Sequence, residues 1–125
     1  MELATVANLF LGSFLLAQVS ADRAVIACNL KALTAAERSE HARLSRLLAG
    51  AVSKRSPVEG GYVFSLELKL LPLPELATWV TLERKCCPFL RFLIEVTSGS
   101  ETIGLTVSGG PGVKEFLESE FQLRR

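Results

Sequence analysis

The sequence predicts an α+β domain over residues 22–125: a small antiparallel sheet of about three strands, covered by helices, in the order α-β-α-β-β-α. Three observations carry this. The stretches "YVFSLEL" (62–68), "RFLIEVT" (91–97) and "TIGLTVS" (102–108) alternate apolar and polar residues, the period of a half-buried strand. The segments between and around them repeat apolar residues at steps of three and four, the period of a helix that buries one side. With 125 residues and a hydrophobic share of 49%, the chain can supply one core of this kind.

Taken in order, "RAVIACNL" (23–30) is rich in β-branched residues and reads as a short extended segment. "LTAAERSEHARLSRLLAGAV" (33–52) reads as a helix. Thr34 and Glu37 are spaced to satisfy its first free amides as a capping box, and Leu44, Leu47, Leu48 and Ala51 form its apolar side. "SPVEGG" (56–61) is a turn into the strand at Tyr62. The second helix lies in "LPLPELATWVTLERKCCPF" (71–89). Pro74 sits in the first turn, where a missing amide costs nothing, and Pro88 forces the backbone before it out of helical geometry. "SGSE" (98–101) turns the last two strands into a hairpin. "GPGVKEFLESEFQL" (110–123) closes the chain as an amphipathic helix, with Val113, Phe116, Leu117 and Phe121 along one side.

The N-terminus stands apart. "TVANLFLGSFLLAQVSA" (5–21) is uncharged, and small residues precede Asp22, so residues 1–21 read as a signal peptide cleaved after Ala21. An exported, periplasmic protein is the expectation from that reading. An uncleaved membrane anchor, a buried first helix of a cytoplasmic protein and an upstream start codon are the alternatives. The 14 basic and 13 acidic residues nearly cancel, so no general field draws in nucleic acid, and none is expected as a partner.

The residues that carry chemistry lie on the helix stripes. On the second helix, Leu76, Trp79 and Val80 set the buried side, and steps of three and four carry it through Glu83 to Cys86 and Cys87. A carboxylate inside an apolar arc is costly unless it is paired, protonated or bound to a cation. On the first helix the same projection puts Glu37 and His41 with Leu44 and Leu48, although the capping box already accounts for Glu37. Cys28 lies just upstream. If the two stripes pack together, Cys28, His41, Glu83, Cys86 and Cys87 converge on one pocket. Thiolate and imidazole donors suit a soft or borderline ion such as Zn(II), Cu(I) or Hg(II), whereas Ca(II) or Mg(II) calls for oxygen donors. Adjacent cysteines diverge by about 100° on a regular helix, so joint use requires the release at Pro88. The C-x-x-C knuckles of a zinc finger are missing.

The segments "ACNLKALTAAERSEH", "ERKCCPFLRFLIEV" and "GLTVSGGPGVKEFL" resemble a set of small uncharacterised bacterial proteins. Those proteins carry the pattern E-R-x-C-C-P-F-x-x-F, an upstream cysteine followed by an E-R-x-x-H helix, and a closing helix. The resemblance spans roughly residues 25–121. It implies no particular activity, but by position it singles out Cys28, Glu37, His41, Glu83, Cys86 and Cys87.

Three function classes follow: binding of a thiophilic metal or metalloid ion, thiol redox chemistry using the cysteine pair, or an interaction module whose cysteines only pack. No Ser/His/Asp arrangement suggests a nucleophilic triad, so binding is expected over catalysis. In an oxidising compartment three cysteines leave one over after pairing. A disulfide between Cys86 and Cys87 would strain the backbone, so a bridge from Cys28 to one of them is the easier oxidised form. The spacing leaves both bridge and metal open.

Overall fold

The computed structural model of the chain describes residues 26–121. The apolar segment 5–21, the cleavage expected after Ala21 and residues 23–25 of the extended segment lie outside the described residues. The elements are α1 (Ala35–Ala51), β1 (Val52–Val58), β2 (Gly61–Glu67), α2 (Leu73–Cys86), β3 (Arg91–Val96), β4 (Thr102–Ser108) and α3 (Val113–Glu120). A single 3-10 turn, Leu30–Ala32, precedes α1. The α+β class and the order of helices and strands read from the sequence are those of the structure, with one further strand. No helix among the described residues is long and apolar enough to cross a membrane.

The sheet runs in the order β1-β2-β4-β3, and every neighbouring pair is antiparallel. Register places Tyr62 opposite Val107, Phe64 opposite Leu105 and Leu66 opposite Ile103, and then Phe92 and Ile94 opposite Val107 and Leu105. These residues share one face. They are buried or half-buried in a common core with Leu44, Leu48, Leu76, Trp79 and Leu117 from the helices. Trp79 meets the Phe92 ring edge-on, with centroids 5.9 Å apart, a favoured aromatic geometry. Period-two alternation in the strands therefore becomes a sheet with a helix-covered side.

The added strand is β1. The sequence suggests a helix as far as Val52 and a turn over 56–61, but the chain pairs with β2 from Val52 and turns only at Glu59 and Gly60. β1 is an edge strand, with Ser53, Lys54, Arg55 and Pro57 all exposed, so no apolar alternation marks it. An edge also tolerates a proline, because that strand has ladder bonds on one side only. Gly60 takes a left-handed backbone with φ of 74°, and a Cβ there would come within 2.7 Å of the Gly109 carbonyl oxygen, so this turn requires glycine.

Both site-bearing helices form for the reasons their sequences give. Thr34 accepts from the Glu37 amide at 3.1 Å, and Glu37 Oε1 accepts from the Thr34 amide at 2.9 Å, completing the capping box. Leu44, Leu48 and Ala51 are buried, while Leu47 turns outward. α2 begins with Pro74 in its first turn and ends at Cys86, with Cys87 as a non-helical C-cap at φ −126° and ψ 70°. Leu76, Trp79, Leu82, Glu83 and Cys86 are buried, and Arg84 and Lys85 are exposed.

Residues 26–29 form no strand. The Asn29 amide donates to the Cys86 carbonyl at 2.8 Å, which lays this segment across the C-terminal end of α2. That backbone bond, with the packing of Ile26 and Cys28 against the core, sets Cys28 beside the cysteine pair.

Candidate metal centre

α1 and α2 pack antiparallel through three polar rungs. Lys85 donates to Glu37 Oε2 at 2.5 Å, His41 Nε2 lies 2.5 Å from Glu83 Oε2, and Trp79 donates to Ser45 Oγ at 3.1 Å. On α1 these are positions i, i+4 and i+8, one face of a helix. The rungs fix the rotation of both helices and turn Glu83 inward, where only 6% of the residue is exposed.

Beyond the middle rung lie the sulfurs. Cys28 and Cys87 are joined by a disulfide, with Cα atoms 4.7 Å apart, and Cys86 is a free, buried thiol. Cys86 Sγ is 3.8 Å from Cys87 Sγ and 3.6 Å from the Glu83 main-chain carbonyl, to which it donates. Glu83 Oε1 lies 3.3 Å from Cys87 Sγ. A bridged sulfur carries no proton, so that approach is a contact in the disulfide form. Reduction of the bridge would give Cys87 a thiol proton to donate to such an acceptor. Sulfur atoms of Cys28, Cys86 and Cys87 and a Glu83 carboxylate oxygen all lie within 4.8 Å of one another, a group that could hold a metal ion.

The structure thus brings together four of the five residues expected from sequence. The fifth, His41, stands one step back. Its Nε2 faces the far oxygen of Glu83 and not the sulfurs, so it orients the carboxylate and does not join the four donors. Glu37, already the capping-box partner of Thr34, is further occupied by Lys85. The Lys85 bond, followed by the Thr34 amide, draws its carboxyl below the usual range.

Burial sets the electrostatics. It is the largest influence on Glu83, pushing its carboxyl above the ordinary value; the His41 hydrogen bond and charge oppose it, and the Glu120 charge adds to it. Cys86 is pushed up to about 11, first by burial and then by the Glu83 charge. Without a bound cation, this thiol keeps its proton at neutral pH and is a weak nucleophile.

A cavity of about 710 Å³ opens beside the sulfurs. Cys28, Cys86, His41 and Glu83 reach its wall, as do Trp79, Phe116 and Phe121. Trp79 belongs to the core, and Phe116 and Phe121, from the apolar side of the closing helix, pack against it; Ser45 and Glu120, which the sequence does not single out, also line the cavity. Ser45 had a legible signal, since it follows His41 by four residues on the same helix face. Glu120 had none, because its approach depends on where α3 docks.

No protein-family model, curated protein or solved structure matches this chain.

Proposed function

We propose that the reduced protein binds a thiophilic metal or metalloid ion between α1, α2 and the segment at Cys28. The observation that carries this reading is the grouping of three sulfurs and one carboxylate within 4.8 Å. Sulfur donors in the majority favour Zn(II), Cd(II), Cu(I), Hg(II) or As(III) over Mg(II) or Ca(II). His41 supports the set from outside by orienting Glu83, the usual task of a group behind a metal ligand. The Cys28–Cys87 bridge makes occupancy depend on redox state, because a bridged sulfur has no thiolate to offer.

The test is a titration of protein reduced with a phosphine, followed by native mass spectrometry and thermal melting. One equivalent of Cd(II) or Hg(II) is expected to bind and raise the melting temperature, and the oxidised protein is expected not to respond. If Zn(II), Cu(I) and Hg(II) all leave the melting temperature of the reduced chain unchanged, the reading is wrong. Thiol exchange is the second reading, favoured by the bridge itself and by the Cys86 sulfur 3.8 Å from Cys87. The raised pKa of Cys86 weighs against it, since the attacking species in exchange is a thiolate.

A further inference from the structure

We propose that the ion taken by this site carries an organic group: the ligand is a trivalent arylarsenic species, held by Cys28 and Cys86 with its ring in the adjoining cavity. This rests on the metal-binding reading and narrows it to a ligand class. Three features of the structure lead there.

The first is size. A bare ion needs no more room than a water molecule, whose share of liquid volume is about 30 Å³. The cavity beside the sulfurs measures about 710 Å³, within the usual range for sites that enclose organic molecules.

The second is chemistry. The cavity wall away from the sulfurs is formed by Trp79, Phe116, Phe121, Ile26 and Leu30. Trp79 is fixed by its bond to Ser45, while Phe116 and Phe121 are only partly covered by protein. Aromatic edges and faces of this kind pack against a ring.

The third is charge. A divalent ion held by three thiolates would leave a net charge of −1 in addition to that of Glu83, in a site where Glu83, Cys86 and Cys87 are all buried, and burying unbalanced charge is costly. An arylarsenic(III) dithiolate is neutral. Cys86 and Cys87 are both buried, but of the three cysteines Cys28 and Cys86 line the cavity and Cys87 does not.

The step is a ligand exchange without change of oxidation state. In the reduced chain, R–As(OH)₂ loses both As–O bonds and gains As–S bonds to Cys28 and Cys86. Each thiol proton leaves with a hydroxide, and two waters are released. Reduction of the Cys28–Cys87 bridge by a phosphine or another two-electron reductant must come first.

The experiment uses the full chain reduced with a phosphine and titrated with phenylarsonous acid, methylarsonous acid or arsenite. Binding is read by intact mass and by Trp79 fluorescence, in competition with a small free dithiol. The free dithiol reports the intrinsic preference of sulfur for each arsenical. The protein is expected to prefer the phenyl compound over arsenite by at least tenfold more than the free dithiol does. Ala49→Trp, at an exposed position lining the cavity, is expected to abolish that excess while arsenite still binds. Leu30→Ser, at a side chain 49% exposed, trims the wall without touching the core and is expected to reduce it. A phenyl preference no greater than the dithiol's, or one unchanged in both variants, overturns the proposal while leaving ion binding intact. Failure of every arsenical and every soft ion to bind overturns both readings.

Discussion

Reducing the Cys28–Cys87 bridge is expected to destabilise the domain by an amount set by the chain it closes. The bridged residues are 59 apart in sequence. The chain-entropy relation for a loop of that length gives roughly 14 cal/mol/K, about 4 kcal/mol at 25 °C. On the native side, little should change. The Asn29 amide still bonds to the Cys86 carbonyl, and Leu33 remains buried, so the loss falls on the unfolded state. With an unfolding entropy of about 2.1 cal/mol/K per residue, 4 kcal/mol corresponds to about 20 °C in melting temperature for a domain of this size. The assay is thermal melting by the fluorescence of Trp79, the single tryptophan, in oxidised and phosphine-reduced samples. Cys28→Ser in oxidising buffer should melt with the reduced wild type. Cys86→Ala keeps the bridge and should lose only about 1 kcal/mol for its small cavity. A soft ion at a hundredfold over its Kd should return about 2.7 kcal/mol to the reduced chain. If the oxidised and reduced proteins melt within about 5 °C of each other, the bridge does not stabilise the domain as argued.

Two further outcomes follow from the same geometry. His41→Ala leaves Glu83 buried without its 2.5 Å partner and should cost about 2 kcal/mol in urea unfolding. Much of this should return in the His41→Ala, Glu83→Gln double variant, and a strictly additive cycle would show that the two side chains do not interact. Tyr62, the single tyrosine, donates to Glu118 at 2.6 Å, and that bond, followed by burial, raises its pKa above 10.0. A raised folded-state pKa means that the contribution is fully present below the unfolded value of about 10 and is lost as pH rises through the folded one. Ultraviolet titration should therefore show late tyrosinate formation, moved back toward 10.0 by Glu118→Gln; an unmoved titration would exclude that hydrogen bond as the cause.

What could be read from the sequence, and what could not, divides along physical lines. Glu83 was legible because it breaks an apolar stripe at helical spacing between Trp79 and Cys86, and local periodicity survives into the fold. The end of α2 was legible because Pro88 acts on its neighbour whatever the tertiary context. β1 was not, because an edge strand stabilised by backbone pairing to β2 needs no apolar pattern. The position of His41 one step behind the donors, and the cavity under Phe116 and Phe121, depend on helix rotation and docking distance, which no spacing rule records.

The partner of Cys28 shows where local rules stop and fold takes over. Spacing permits a bridge to Cys86 or to Cys87. Cys86 is the last helical residue, and its sulfur is held back toward the Glu83 carbonyl of the preceding turn. Cys87, released by Pro88, adopts φ −126° and ψ 70°, while its amide still bonds to the Glu83 carbonyl at 2.8 Å. The backbone therefore turns the second sulfur toward the segment that the Asn29 amide has docked on Cys86. One residue of helix termination separates a bridging cysteine from a free one. The same step leaves Cys86 facing the cavity as a protonated thiol, available to a ligand when the bridge opens.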